Sequence, residues 1–107
     1  MTPELRIEIK NIFDEKKPAH QIITSMYSLL KKHGFTQQYI ADESGLSKQT
    51  VSRLKDPITE SGAPRMDSLI YMALALQFDK SLTVALINLF YPEAVTAFAE
   101  IERTSFR

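Results

Sequence analysis

Apolar positions recur at helical spacing along most of the chain, and capping residues or breakers divide them into successive segments. Leu5, Ile9, Ile12 and Phe13 mark a first amphipathic helix over 3–17, with Thr2 as N-cap, Pro3 at the first helical position and Pro18 as the stop. Ile22, Ile23, Met26, Tyr27, Leu29 and Leu30 form a broad apolar face over 19–33. Lys31, Lys32 and His33 fall in that helix's last turn, where cations suit the helix dipole, and Gly34 is placed to end it. Thr36 is the expected N-cap of a helix over 37–44, and Ser47 that of a short helix over 48–55. A loop, DPITESGAP, follows over 56–64. In 66–76 the residues Leu69, Ile70, Met72, Ala73 and Leu76 read as one buried face. The segment 81–90, capped by Asp79 or Ser81, is apolar nearly all round, so it has to be covered on more than one side. Pro92 permits a fresh start, and Val95, Phe98 and Ile101 give a last helix over 93–102.

The stretch 34–55 holds the most informative spacing. Ala41, Gly45 and Val51 lie four and six residues apart, as two closely crossing helices require. Alanine leaves room for the second helix, and glycine turns the chain at positive φ without steric cost. Ile40, Leu46, Val51 and Leu54 can then face one core, leaving Lys48, Gln49, Ser52 and Arg53 outward on the second helix. Those side-chain types donate to and accept from base edges in the major groove of DNA.

Thr36-Gln37, Ile40-Ala41, Ser44-Gly45-Leu46-Ser47 and Thr50-Val51-Ser52-Arg53-Leu54 together resemble the helix-turn-helix of the phage lambda repressor and Cro (xenobiotic-response-element) family. The resemblance spans about residues 20–90 and is densest over 34–76. It implies an all-α, lambda-repressor-like domain of five helices over 19–90, with the helix-turn-helix at 36–55. An extra N-terminal helix (1–18), which either pads the core or helps form a dimer, and a short C-terminal helical tail (91–107), which either forms a dimer interface or adds packing within the monomer, flank it. It also implies a phosphate contact from Gln37 at its helix N-terminus and another from a cation near Arg65. Ser47, Thr50 and Lys55 complete the expected phosphate set, and Lys48, Gln49, Ser52 and Arg53 the expected base-reading set. Two departures stand out: the 56–64 loop is longer than the family's connection, and Gln77 stands where the family often has glycine.

Composition adjusts this reading more than it drives it. With 107 residues, 44% of them apolar, the chain suits one domain with modest additions. Net charge is zero, which predicts weak non-specific binding to nucleic acid, yet 44–55 carries three cations and no acid. There is no cysteine, and His20 and His33 stand alone, so neither a disulfide framework nor a metal site is expected. No catalytic constellation, cofactor motif, secretory leader or membrane-spanning run is legible, which points to a non-enzymatic protein of the cytoplasm, associated with the nucleoid. The expected partners are double-stranded DNA and a second copy of the chain, as in a repressor reading a palindromic operator. Only some 17 residues follow Phe90, too few for a sensing domain, which fits a short regulator of a phage, plasmid or other mobile element. The competing expectation is an antitoxin or protein-interaction module that docks a protein partner on the apolar C-terminal region.

Overall fold

Four side chains at the foot of four helices already account for much of the architecture. Thr2 Oγ1 accepts from the Leu5 N–H at 3.2 Å, Thr36 Oγ1 from Tyr39 at 3.1 Å, Ser47 Oγ from Thr50 at 3.0 Å, and an Asp79 carboxylate oxygen from Leu82 at 2.9 Å. Each satisfies one of the amides that a helix start leaves without an internal partner. The structure, a computed structural model, describes residues 1–58 and 62–105, the side chains of 104 and 105 excepted. Among these are seven helices and no strand: α1 (Pro3–Phe13), α2 (Ala19–Lys32), α3 (Gln37–Ser44), α4 (Lys48–Arg53), α5 (Met66–Ala75), α6 (Lys80–Phe90) and α7 (Pro92–Ser105). The chain is therefore all-α. Part of the 56–64 loop and the last two residues of the expected tail lie outside the described residues.

One hydrophobic core joins α1 through α6. α5 packs on α3 and α6, α1 on α2 and α6, α4 on α3, and α7 on α6. The N-terminal helix is thus built into the core: Leu5, Ile9 and Phe13 are buried, and Phe13 meets Phe78 edge to face at a 6.2 Å centroid distance. Arg6 on α1 also pairs with Asp79, the cap of α6. The Arg6 guanidinium, and then the Leu82 N–H, hold the Asp79 carboxyl below its usual range.

Several helix ends differ from the sequence expectation. α1 stops at Phe13 rather than continuing to 17, because Asp14, Glu15, Lys16 and Lys17 are all exposed and the residue before Pro18 is pushed out of helical geometry. α4 stops at Arg53, where the Lys55 N–H turns back to the Ser52 carbonyl and Asp56 to Arg53, tightening the chain ahead of Pro57. On α5 the buried face is Leu69, Met72, Ala73 and Leu76, joined by Ser68, while Ile70 is 39% exposed. Ile70 lies about 100° round the helix from Leu69 and shares the outer side with the exposed Leu74. Asp79, not Ser81, caps α6. α7 covers one side of α6, leaving Val84, Phe98 and Ile101 exposed.

The ends of α2 and α5 use one geometry with two different residues. After α2, Phe35 N–H bonds the Leu30 carbonyl at 2.9 Å and Gly34 N–H bonds Lys31 at 3.1 Å, with Gly34 at φ 88. After α5, Phe78 N–H bonds Ala73 at 2.9 Å and Gln77 N–H bonds Leu74 at 3.1 Å, with Gln77 at φ 58. Both are Schellman closures, and glycine is the residue that makes them without steric cost. Gln77, the one non-glycine residue at positive φ among those described, accepts the strain. Gln77→Gly should therefore raise stability by about 1 kcal/mol, after subtracting the extra chain freedom glycine has when unfolded. The midpoint of a urea melt reads this directly; an unchanged or lower midpoint would show that the closure carries no strain.

Candidate nucleic-acid interface

α3 and α4 are joined by three residues, each with a distinct duty. Gly45 turns left-handed at φ 76, and its N–H bonds the Ala41 carbonyl at 3.0 Å. Leu46 packs half-buried against the core, and its N–H donates to Ser44 Oγ at 3.2 Å. Ser47 caps α4. A Cβ added at Gly45 would meet nothing within 4 Å, so glycine serves the backbone angle there and not a close approach. Ala41, 6% exposed, lies on α3, which packs against both α4 and α5.

The roll of α4 about its axis sorts its side chains. Val51 and Leu54 are buried in the common core. Lys48, Gln49, Ser52 and Arg53 are exposed, on an arc of about 140° on the opposite side. Thr50 and Lys55 stand half-buried at the two edges of that arc. The four expected base-reading residues therefore share one solvent face, and it carries two cations and two hydrogen-bonding side chains.

The expected phosphate contacts are more mixed. Gln37, half-buried, is the first residue of α3. The Ser47 and Thr50 hydroxyls lie 2.8 Å apart in the cap, so both already have a hydrogen-bond partner. Arg65 is the N-cap residue of α5, and its Nε and Nη2 donate to the Asp67 carboxylate at 3.2 and 3.0 Å. The composition of 65–67 showed both charges, but only the fold shows that they close on each other. An open cleft of ≈ 620 Å³ runs between α4 and the start of α5, and Thr50, Arg53, Arg65 and Ser68 are among its walls. Arg53 and Arg65, far apart in sequence, thus face one depression.

Tyr27 is the residue near this interface whose part periodicity did not reveal. The sequence pattern places it on the apolar face of α2, where it is indeed buried, and burial pushes its phenol pKa up. Its hydroxyl donates to the Val51 carbonyl in α4 at 2.8 Å and lies 3.4 Å from Met72 Sδ. The one available signal was the residue type: a tyrosine among aliphatic neighbours usually finds a partner for its hydroxyl.

Among the described residues, no group of three or more His, Cys, Asp or Glu is placed to hold a metal ion. No described helix is long and apolar enough to cross a membrane. Comparison of the chain with family profiles, with characterised proteins and with solved structures finds no match.

Proposed function

We propose that this protein is a sequence-specific reader of double-stranded DNA, a transcriptional regulator built like the lambda repressor and Cro family. The observation that carries this reading is the outward face of α4, where Lys48, Gln49, Ser52 and Arg53 lie together opposite the buried Val51 and Leu54. Such a face can enter a major groove with its backbone supported from behind. Gln49 has the amide to pair with an adenine edge, and Lys48 or Arg53 the donors for guanine O6 and N7. Gln37, Ser47, Thr50, Lys55 and Arg65 would set register on the phosphates.

A twofold pair would place two copies of α4 in successive major grooves about 34 Å apart, reading half-sites about 10 bp apart. The α6–α7 surface is our candidate for the contact between copies. Val84, Ile87, Val95, Phe98 and Ala99 line a shallow apolar groove there, rimmed by Lys80 and Glu102. Bound at a promoter, such a dimer would repress by occupying the operator, acting in the cytoplasm on the nucleoid. The second reading, a protein-interaction module such as an antitoxin, draws on that same groove, since a different protein could fill it.

Selection of bound duplexes from a random pool tests the proposal, with Lys48→Ala/Arg53→Ala as the control. A two-part palindrome is expected from the native chain and is expected to be lost in the control. A folded protein that enriches nothing would overturn DNA reading and leave the interaction module standing.

A further inference from the structure

We infer that Tyr27 is a positioning residue for α4, one that fixes the roll of the recognition face through a single buried hydrogen bond; this rests on the DNA-reading function proposed above. α4 has only six residues. Isolated helices well under about 12 residues do not hold together in water, so α4 keeps its shape through what surrounds it. Ser47 secures the amino end. The carboxyl end has a gap in its ladder. The Lys55 N–H, which a continuing α-helix would direct to the Val51 carbonyl, bonds Ser52 instead at 3.2 Å. The Val51 carbonyl lies in a residue with no solvent exposure, where water cannot serve it. The Tyr27 hydroxyl takes that place at 2.8 Å.

The phenol has one proton to give, and the carbonyl is a far better acceptor than the Met72 thioether beyond it at 3.4 Å. Tyr27 is 5% exposed and belongs to α2, a helix of 14 residues whose inner face is core. Tyr27 thus ties the shortest helix to a long, well-packed one. The bond also has a direction. Turning α4 by one residue would swing Val51 off the phenol and carry Lys48, Gln49, Ser52 and Arg53 about 100° away from their present face. Apolar packing alone tolerates such sliding better than a hydrogen bond does. Phenylalanine would fill the same space and leave the carbonyl unpaired.

Tyr27→Phe is therefore expected to loosen α4 selectively. At a temperature well below the melt, amide hydrogen exchange followed by NMR should quicken by roughly tenfold or more over residues 50–54. Protected amides of α2 and α5 should change far less. Affinity for the selected operator duplex should fall by about tenfold, while affinity for a scrambled duplex and the salt slope stay as they were. Met72→Leu, which keeps the Tyr27–Val51 bond, should leave the exchange in α4 unchanged. Uniform acceleration of all protected amides, with the operator-to-scrambled affinity ratio intact, would reduce Tyr27 to a core residue and overturn the inference. If the native chain selects no duplex, the DNA reading falls. The exchange pattern then still decides whether Tyr27 holds α4: local loosening supports the clamp, and uniform loosening overturns it.

Discussion

Replacing Ile9 with alanine is expected to destabilise the fold by about 2–5 kcal/mol, although the first helix lies outside the segment that resembles a helix-turn-helix domain. Ile9 is fully buried between Leu5 and Phe13 on the inner face of α1, which packs against both α2 and α6. Removing its larger side chain takes away buried apolar surface and leaves a cavity in the close-packed core, which relaxes only partly around it. A loss of that size is a large part of the total stability usual for a domain, about 5–15 kcal/mol. Ile7, on the same helix and 57% exposed, supplies the control, since Ile7→Ala should stay within about 0.5 kcal/mol of the native chain. Urea melts followed by circular dichroism compare the three proteins. Equal melts for Ile9→Ala and Ile7→Ala would show α1 to be a detachable extension.

That contrast marks where the sequence was legible and where it was not. Helix starts could be read well, because an N-cap works through bonds three residues away: Thr2, Thr36, Ser47 and Asp79 all close those bonds. Ends were harder. Whether α4 continues past Arg53 depends on a tightening of the last turn before Pro57, and nothing in the periodicity reports it. Periodicity also shows that a helix has an apolar face without showing what covers it. The stripe of α1 turned out to be core, whereas Phe98 and Ile101 of α7 remain 55% and 59% exposed. Ile70 was misplaced because apolar residues at 69 through 76 are too dense to define one face. In the candidate interface, the outward set on α4 followed from its spacing. The pairing of Arg65 with Asp67 and the bond from Tyr27 to Val51 depend on side-chain direction and on contacts between distant segments, so no local pattern announces them.

If the protein reads DNA as proposed, its binding to the selected operator is expected to weaken by about a thousandfold when salt rises from 50 to 200 mM. The size of the effect depends on which cations are free to displace counterions. Six to ten neutralised phosphates would give a loss of about 10³–10⁵ over that range. Lys55 of each protomer would meet a phosphate directly, and the base-reading Lys48 and Arg53 also bring positive charge into the groove and displace counterions there, so about six charges in a twofold complex set the lower end. Arg65 adds less than its formal charge, since the Asp67 carboxylate already accepts two of its hydrogen bonds. That pair is largely exposed and is worth little to stability, so a phosphate could displace it, but the carboxylate would remain close and repel the phosphate. Asp67→Asn should consequently tighten binding and steepen the logarithmic salt dependence by up to about one unit per protomer, whereas Arg65→Ala alone should change it little. Lys55→Ala should weaken binding alike on every sequence, and Arg53→Ala should in addition relax the choice of base at one position. Fluorescence anisotropy with a labelled operator, titrated across the salt range, reads the native chain and the four variants on one plot of affinity against salt. A flat plot for the native chain would mean that α4 does not meet the phosphate backbone, because a face with these charges cannot approach a duplex without releasing ions from it.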